Sequence, residues 1–379
     1  MRYKLAALTT HPIQYQAPLF RRLAVCPDID LMVYFCNNFG IAEKFDPGFS
    51  LSFKWDIPLL EGYNYKFLSL SPVIIKEFLR HRYDAVWIHG YIPLANWFAF
   101  LGAKVLNIPV LLRGESHLLE KRLLPKRILK RMLLGAFFKR ISGFLAIGRL
   151  NKEYYLDYDV PANKIFSVPY AVDNDFFSKR SLELQSRRTQ LKEQLGISLD
   201  LPVILYASKM IPRKRPMDLL EAYKKIQEKI SAALVFVGDG RQRSTLEAYV
   251  KANNLKNVYF TGFRNQSELP DYFVIADVFV LPSTNEPWGL VINEAMNFNL
   301  PIITTDKVGA GFDLVRHQDN GFIYPAGDID KLAECILRIL EDPHLKQGMG
   351  KRSGEIISHW GAEEDIRGIL SALEYVCNR

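Results

Sequence analysis

The sequence has few cysteines, and they do not cluster. Its four cysteines, Cys26, Cys36, Cys335 and Cys377, form no CxxC pair and no zinc-ligand spacing. A disulfide scaffold and a structural zinc domain are therefore disfavoured. A reducing, cytosolic setting is the simplest expectation for such a chain.

Long apolar runs are also missing. The start, MRYKLAALTTHP, has too short an apolar run before Thr9 to be a signal-peptide core, which predicts that the chain stays inside the cell. Residues 85–103 lack charged side chains over about the length of a membrane span, but His89, Gly90 and Pro93 interrupt them. A strand, a loop and a helix are expected there instead.

The sequence has no tandem repeat and no low-complexity segment. Three acidic pairs, at 28–30, 157–159 and 328–330, resemble a metal-binding DxD, but none follows a predicted strand at the right place. Asp328 is expected to cap a helix. The loops at Ser208 and Ser283 lack a nucleophile elbow. Neither a bound metal nor a cofactor is expected.

The composition is that of a folded, basic protein. Of 379 residues, 49% are hydrophobic and 24% charged, which fits a chain of this length folding as two domains. A net charge of +8 and a pI near 9.1 suggest a polyanionic partner. Nucleic acid, a phosphorylated substrate and an anionic membrane all satisfy that condition, and composition does not choose among them.

Short apolar runs alternate with helix-length segments in both halves of the chain. The runs are KLAALTT, DAVWIHG, PVLLRGES and GFLAIG in the first half, and PVILYAS, ALVFVGDG, VYFTGF, VFVLPS and PIITTD in the second. Such runs predict parallel strands covered on both faces, hence a doubly wound α/β architecture that occurs twice. Ligands are expected beyond the carboxyl ends of the strands, in a cleft between two facing sheets.

The predicted domain boundaries follow from these runs. An N-terminal Rossmann-like domain is expected to cover 1–175, and a C-terminal helix near 360–379 is expected to pack back onto it. A charged linker, containing a short helix that ends at Gly196, covers 176–200. A C-terminal Rossmann-like domain is expected to cover 201–359.

Two glutamates mark the segment EPWGLVINE. Glu286 is predicted to lie in a loop after a strand, and Glu294 in a helix starting at about Gly289. On a single helix the two would be roughly 12 Å apart. That exceeds the roughly 5–9.5 Å of hydrolytic carboxyl pairs, so two separate hydroxyl-binding carboxylates are favoured. The alternative is one loop glutamate and one exposed helical glutamate without function.

A basic loop, SKMIPRKRP, follows the strand PVILYAS. Its Lys209 and Lys214 flank Pro212, and Arg213 and Arg215 lie beside Lys214. Charge-assisted hydrogen bonds from such a loop would suit a diphosphate. A solvated basic loop is the alternative.

Together these motifs resemble those of the retaining GT-B glycosyltransferases of family 4. EPWGLVINE matches the family's E-x7-E signature, and SKMIPRKRP resembles its G-R-x4-K-G loop with Lys209 and Lys214 at the basic positions. VGDG, VYFTGF, VFVLPS, NLPIITTDKVGAGFDLV and NGFIYPAGD follow in the usual order, and KIFSVPYAVDNDFF resembles the inter-domain stretch. The resemblance covers the second predicted domain throughout and the first more loosely.

The resemblance implies a GT-B fold, with two Rossmann-like domains facing a central cleft, and a nucleotide-sugar donor. Glu294 would hold the ribose and Glu286 the sugar, while Lys209 and Lys214 would bind the diphosphate. The remaining donor-binding candidates are the amides of Gly289, Leu290 and Val291 at the helix start, and Phe263 and Arg264 beside the base. Attack from the front face, with the departing diphosphate as base, is implied.

Two departures from the family pattern affect these implications. Ser208 and Lys209 stand where the family has glycine and arginine, so a point charge replaces a bidentate fork. TTHPIQYQAPLF replaces a glycine-rich turn after the first strand, which makes His11 a candidate cleft residue or a structural hydrogen-bonder.

Further candidates lie in VLLRGESH, where many relatives carry a histidine near the donor sugar. Glu115 and His117 are both candidate catalytic residues there, and WIHG adds His89 as a cleft or acceptor residue. Sequence does not show which of these faces the reacting centre.

Residues 117–140 interleave leucines with basic side chains. The basic residues are Lys121, Arg122, Lys126, Arg127, Lys130 and Arg131. Such a helix can lie on an anionic membrane, although a solvated basic face over core leucines is the alternative. A peripheral position on the inner face of the membrane is therefore expected.

Together with these patterns, the resemblance implies a metal-independent glycosyltransferase that acts with retention on a carbohydrate or lipid-linked acceptor, in cell-surface glycan or glycolipid synthesis. It also implies that the domain at 1–175 binds the acceptor and the domain at 201–359 binds the donor. A nucleotide-sugar epimerase of the same fold, which needs no acceptor, is the alternative among enzymes. A nucleic-acid-binding protein is the alternative of another class. Its aromatic and basic stacking platform is not evident, so no nucleic-acid partner is expected.

Overall fold

The structure is a computed structural model that describes residues 2–68, 72–119 and 124–378, with the backbone alone for 124–129. In these ranges the strands are β1 (Tyr3–Thr9), β2 (Ile29–Phe35), β3 (Lys44–Asp46), β4 (Leu51–Phe53), β5 (Asn64–Phe67), β6 (Ala85–His89), β7 (Val110–Gly114), β8 (Gly143–Ala146), β9 (Ile165–Ser167), β10 (Val203–Ala207), β11 (Ala233–Val237), β12 (Val258–Phe260), β13 (Val278–Leu281), β14 (Ile302–Thr305) and β15 (Gly321–Tyr324).

The helices in the same ranges are α1 (Gln16–Val25), α2 (Val73–His81), α3 (Leu94–Val105), α4 (Leu124–Phe138), α5 (Arg149–Asp157), α6 (Asn174–Gln185), α7 (Arg188–Gln194), α8 (Pro216–Gln227), α9 (Arg243–Ala252), α10 (Leu269–Ile275), α11 (Val291–Met296), α12 (Gly309–Leu314), α13 (Ile329–Leu340), α14 (Pro343–Ser358) and α15 (Ala362–Cys377). Every run predicted as a strand contains one. Asp328 caps α13 by accepting from the Lys331 amide at 2.9 Å, as predicted.

The chain forms two units. The first contains Met1–Glu43, Pro58–Asp173 and Trp360–Arg379, and the second contains Lys44–Ile57 and Asn174–His359. Two features differ from the predicted division at 175 and 200. Residues 44–57 belong to the second unit although they precede most of the first in sequence. The stretch 176–200, predicted as a linker, forms most of α6 and all of α7 within the second unit.

The first unit contains a parallel sheet in the order β5-β2-β1-β6-β7-β8-β9. Successive side chains of β1 enter different apolar cores, because residues in a strand alternate between the two faces of the sheet. Ala6 and Leu8 pack with α2 and α3, whereas Leu5 and Ala7 pack with α1 and α15. The sheet is therefore covered on both faces, and α15 supplies part of one cover.

Arg113, at the end of β7, ties α15 to this sheet. Its buried guanidinium lies 4.8 Å from the ring centroid of Tyr170 and donates to the carbonyl oxygens of Val168 and Pro169. It also donates to the Asp365 carboxylate of α15 at 3.3 Å. Burial raises the pKa of Asp365 to about 7 although Arg113 opposes this shift.

The second unit contains a parallel sheet in the order β12-β11-β10-β13-β14-β15. Its core joins the strands to α8 and α13 through side chains such as Tyr206, Leu220 and Ile336. Residues 44–57 add the antiparallel hairpin β3–β4, in which Lys44 pairs with Phe53 and Asp46 with Leu51. We call this segment the 44–57 hairpin.

The uncharged stretch 85–103 forms β6, a loop and most of α3, as predicted. Across the described residues, every helix is too short or too polar to span a membrane.

Candidate active site

Two loops of the second unit come together at the carboxyl edge of its sheet. One follows β10 and carries Lys209 and Lys214; the other follows β13 and carries Glu286. The Lys214 ammonium forms an ion pair with the Glu286 carboxylate, and both side chains are largely buried. Burial lowers the pKa of Lys214, and the attraction of Glu286 opposes that shift. Two residues 72 positions apart therefore share one site.

The backbone fixes the position of Glu286. Its amide donates to the Lys307 carbonyl at 3.1 Å, and its carbonyl accepts from the Gly309 amide at 2.9 Å. Gly309 has no room for a side chain, because a Cβ there would lie 2.0 Å from the Pro287 carbonyl oxygen. Gly289 closes the loop with a φ of 101°, a conformation that favours glycine. The loop is thus held along the stretch that follows β14.

Glu294 lies in α11, which starts at Val291 rather than at the predicted Gly289. Its carboxylate is partly buried, and none of the described residues donates to it. Burial raises its pKa to about 8. An unpartnered carboxylate in this position is suited to accept hydrogen bonds from ligand hydroxyls, which would relieve the cost of its burial. The amides of Gly289, Leu290 and Val291 likewise have no acceptor among the described residues.

Lys209 has a partner that the sequence did not reveal. Its ammonium donates to both carboxylate oxygens of Asp46, at 2.9 and 3.0 Å, and lies 4.6 Å from the centroid of the Phe49 ring. Asp46 and Phe49 belong to the 44–57 hairpin. Each predicted phosphate-binding lysine is therefore paired with a carboxylate.

Phe263 and Arg264, predicted beside the base, point to different neighbours. Phe263 packs against two rings of the 44–57 hairpin, Phe49 at 4.8 Å and Phe53 at 4.6 Å between centroids. The Arg264 guanidinium donates to Glu268 at 3.2 Å and to the Thr261 carbonyl at 2.9 Å. Phe263 is thus part of an aromatic cluster, and Arg264 is engaged within its own loop.

The first unit has a separate polar network at the carboxyl ends of β1, β6 and β7. The Tyr170 hydroxyl donates to Glu115 at 2.5 Å and lies 3.1 Å from Nε2 of His89. The other ring nitrogen of His89 lies 3.1 Å from the Gln16 amide nitrogen, and the Gln16 carbonyl accepts from the Thr9 hydroxyl at 3.2 Å. His89 and Glu115, 26 positions apart in the sequence, are therefore joined through Tyr170.

This network assigns the protonation of His89. Because the Gln16 oxygen accepts from Thr9, its amide nitrogen donates to Nδ1 of His89, and Nε2 carries the proton that is donated to Tyr170. Burial, followed by the charges of Arg113 and His11, lowers the pKa of His89 to about 3. The imidazole is neutral at physiological pH and orients Tyr170 towards Glu115.

The other two candidate histidines form hydrogen bonds with their own neighbours in sequence. His11 accepts or donates at Nδ1 with the Thr10 hydroxyl, 2.9 Å away, and packs edge-on against Phe39. His117 accepts from the Leu119 amide at 3.2 Å through its Nδ1, as a turn-forming side chain would. Neither hydrogen bond joins the network of His89.

Sequence reasoning missed Asp46, Phe49, Gln16 and Tyr170. Asp46 and Phe49 sit in a stretch rich in aromatic and turn residues, and nothing local indicates that it docks beside Lys209. Tyr170 lies within KIFSVPYAVDNDFF, a segment that was assigned only to the inter-domain connection. Its position three residues past the end of β9 was the available signal.

A groove of about 1110 Å³ lies elsewhere in the second unit, between α8 and α13. It is lined by charges of both signs, including Lys225 and Asp330, and by none of the predicted site residues. In the part of the chain that the structure describes, no group of three or more histidine, cysteine, aspartate or glutamate side chains is arranged to hold a metal ion.

Two parallel-sheet α/β units, one of them carrying a basic loop and the E-x7-E pair at its carboxyl edge, define a glycosyltransferase of the GT-B class. Residues 187–355 match the family model of glycosyl transferases group 1, and residues 33–176 match that of glycosyltransferase family 4. The chain belongs to this family of glycosyltransferases, as the sequence motifs predicted.

Curated relatives match part of the chain. N-acetyl-alpha-D-glucosaminyl L-malate synthase of Bacillus anthracis is 31% identical over 216 residues, which are 57% of this chain and 54% of the relative. A GDP-mannose-dependent phosphatidylinositol monomannoside mannosyltransferase of Mycobacterium tuberculosis is 28% identical over 53% of each chain. The match thus spans about half the length of these relatives.

The fold extends further than the sequence match. The Anabaena protein Alr3699/HepE, solved in complex with UDP, superposes with a TM-score of 0.76 over 99% of this chain and 100% of its own. Its sequence identity is 19%, so the likeness concerns the fold.

Proposed function

We propose that the protein transfers a sugar from a nucleotide-diphosphate donor to an acceptor hydroxyl, with retention at the anomeric carbon, during synthesis of a cell-surface glycan or glycolipid. The observation that carries this proposal is the meeting of Lys214 and Glu286, with Lys209 on the same loop as Lys214. This proposal is supported because cations suited to a diphosphate and a carboxylate suited to a sugar hydroxyl lie side by side at the carboxyl edge of a parallel sheet, where ligands of such sheets bind.

In this proposal the second unit binds the donor. Lys209, Lys214 and the amides of Gly289, Leu290 and Val291 stabilise the negative charge that grows on the diphosphate as the glycosidic bond breaks. Glu294 accepts from the ribose hydroxyls and Glu286 from the sugar. The ion pair with Glu286 holds the Lys214 ammonium in position before the donor arrives, and a phosphate oxygen of the donor then competes with Glu286 for it.

In the same proposal the first unit binds the acceptor. The incoming hydroxyl loses its proton to the departing diphosphate, so the neutral His89 is not needed as a base. Glu115 has the larger exposed fraction of the pair, 44% of its side chain against 15% for His89. We therefore assign Glu115 to contact with an acceptor hydroxyl, and His89, Tyr170 and Gln16 to holding it. His11 stays a predicted acceptor contact, and His117 stays a predicted catalytic residue.

We further propose that the protein acts at the cytoplasmic face of a membrane, where a lipid-linked acceptor is presented. The support comes from α3, whose Leu94, Leu101 and Val105 are more than half exposed and lie on one helical face. Trp97 of α3 contacts Phe137 of α4 at 4.9 Å, and α4 adds the exposed Met132 and Leu133. The relative from M. tuberculosis acts on a phosphatidylinositol monomannoside.

Of the six basic residues predicted to face the membrane, Lys121, Arg122, Lys126 and Arg127 lie outside the described side chains. The helix predicted over 117–140 spans 124–138, and its Arg131 pairs with Asp157 and Asp159 at 3.0 Å each. Additional positive charge lies on Lys104, whose pKa is lowered by burial and then by the charges of Lys164 and Arg140. Such mutually repelling cations favour an anionic surface.

A ligand screen tests the proposed activity. Nucleotide sugars and nucleoside diphosphates are added one at a time, and the protein's unfolding temperature is recorded, because a bound donor stabilises the native state by mass action. A stabilising donor is then supplied with lipid-linked and free acceptors, and the product's anomeric configuration is determined. Acceptor-independent release of free sugar would instead indicate the epimerase, and stabilisation by no nucleotide would contradict the donor site.

A further inference from the structure

The 44–57 hairpin lies on the loops where the candidate donor site begins. The Asn265 side chain donates to the Lys54 carbonyl at 2.7 Å, and the Ser267 hydroxyl donates to the Asp56 carboxylate. At its other end the Gly48 carbonyl lies against Gly240, since a Cβ on Gly240 would be 3.0 Å from that oxygen. The hairpin thus contacts the loops after β11 and β12.

Asp46 connects the hairpin to the third loop, after β10. Its carboxylate accepts from both Lys209 and the amides of Gly48 and Phe49, the amides at 2.7 and 3.1 Å. Burial acts to raise the pKa of Asp46, but Lys209 and the two amides outweigh it and the pKa is lowered. Asp46 is therefore ionised at neutral pH, and Lys209 already has an anionic partner.

We propose that Asp46 sets the affinity of the donor site by competing with the donor's diphosphate for Lys209. This inference rests on the proposed function, because the competing ligand is the proposed donor. Each time a donor binds, either the ion pair between Asp46 and Lys209 breaks, or the diphosphate lies beside the negative charge of Asp46.

The competition follows from the number of charges. One ammonium cannot neutralise both a carboxylate and a diphosphate, and lysine is a compact point charge without the fork that lets arginine serve two anions at once. A diphosphate near Lys209 therefore meets the charge of Asp46 in a partly buried setting, where water screens repulsion poorly. Removing that charge, with the hairpin unchanged, should tighten binding.

The hairpin does not depend on this charge for its attachment. Phe49 and Phe53 pack on Phe263, and the hydrogen bonds of Asn265 and Ser267 hold the opposite end. An asparagine at 46 has nearly the same shape, and its side-chain oxygen can accept from the same two amides. Asp46→Asn therefore removes the charge and keeps the turn.

The test compares wild type, Asp46→Asn and a control by titration calorimetry with UDP, GDP and ADP. The control is Asp330→Asn, which removes an equal charge from the second unit at an exposed aspartate that pairs with Lys225. For the nucleoside diphosphate that binds, we expect the Kd of Asp46→Asn to fall about tenfold, and that of the control to stay within twofold.

Each outcome has a separate meaning. Binding by Asp46→Asn at lower Kd, or by that variant alone, supports the competition. A Kd equal to or above that of wild type overturns it and leaves the proposed donor site standing, with Asp46 then a structural tie. Binding by neither protein overturns both. If Asp46→Asn does not fold, Asp46→Ser, whose hydroxyl can cap the same amides, is measured against the same expectation.

Discussion

At the scale of single residues, the candidate site is a set of carboxylates in different electrostatic settings. Glu286 is paired with Lys214 and Asp46 with Lys209, whereas Glu294 has no partner among the described residues. A carboxylate that is buried without a partner is costly to ionise, and a paired one is not. The three residues should consequently respond differently to substitution.

Glu294 should make the protein less stable as pH rises. Its pKa is raised to about 8 by burial, above the value expected in the unfolded chain, so the folded state holds the proton more tightly. The stability it contributes is complete below about pH 4 and is lost as pH rises through about 8. Relative to Glu294→Gln, wild type should lose on the order of 3 kcal/mol between pH 5 and 8.

Denaturant unfolding of both proteins across that pH range measures the difference. Asp365 also has a pKa raised by burial, but it is present in both proteins and cancels in the comparison. Parallel stability curves for wild type and Glu294→Gln would show that Glu294 ionises freely.

The two glutamates should separate binding from turnover. Measured at about pH 9, where Glu294 is ionised, Glu294→Ala should weaken nucleoside diphosphate binding by about 1.5–3 kcal/mol, the range for hydrogen bonds to a charged group. Glu286→Ala should leave that binding unchanged or tighter, because Lys214 is then free for the phosphates, yet should cut turnover through loss of sugar contact. Calorimetry with nucleoside diphosphate and steady-state kinetics for both variants measure these effects. Normal turnover by Glu286→Ala would refute its assignment to the sugar.

At the scale of elements, backbone contacts rather than helix propensity position the site. Gly309→Ala would place a Cβ 2.0 Å from the Pro287 carbonyl oxygen and push the Glu286 loop outward. We expect a loss of about 1–3 kcal/mol in stability, together with a larger loss in kcat than that stability change explains.

Gly348→Ala is the matched control for this substitution. Gly348 lies in α14 with nothing within 4 Å of its added Cβ, so alanine should be neutral or stabilising by up to about 1 kcal/mol. Thermal unfolding and kinetics of both variants give the comparison. Full activity in Gly309→Ala would mean that the loop does not depend on this close approach.

The apolar face of α3 should bind membranes. Leu101→Gln combined with Val105→Gln should lower binding to vesicles containing an anionic lipid several-fold, since both side chains are more than half exposed. Leu182→Gln is the control: Leu182 is at least as exposed as Leu101 and Val105, but lies on α6 of the second unit. Sedimentation with vesicles measures the bound fraction. Equal loss in the control would indicate general hydrophobic adhesion.

Prediction from the sequence succeeded for elements whose burial pattern is visible in their own residues. Strands such as β10 and β13 are apolar along their whole length because both faces of the sheet are covered, and that pattern is legible in the sequence. The edge strand β5 is exposed at every position, so its pattern carried no such signal. The pairing of Asp46 with Lys209, which are 163 positions apart, depends on tertiary contacts that no local pattern encodes.

At the scale of the whole molecule, each unit includes a segment that is distant in sequence from the rest of that unit. Residues 360–379 close one face of the first sheet, and residues 44–57 complete the surface of the second unit. A division of the chain into two continuous segments would separate each of these stretches from the unit to which it belongs. The buried Arg113 and Asp365 pair is one reason that α15 stays with the first unit.

The charge balance of the reaction predicts that transfer needs no divalent cation. The donor carries its negative charge on the diphosphate, and the proposed site offers Lys209, Lys214 and the amides of Gly289, Leu290 and Val291 to receive it. Cationic side chains supply the electrostatic stabilisation that a metal gives in enzymes with a DxD motif. We therefore expect the rate of transfer in excess EDTA to stay within about twofold of the rate with added Mn²⁺ or Mg²⁺. Each of the substitutions Lys209→Ala and Lys214→Ala removes one charge-assisted contact to the diphosphate. Each should therefore reduce kcat/KM by about 10-fold or more, with a smaller effect on ground-state binding. If EDTA abolishes transfer and Mn²⁺ restores it, the lysines do not neutralise the leaving group by themselves, and the acidic pairs of the sequence become the residues to substitute next.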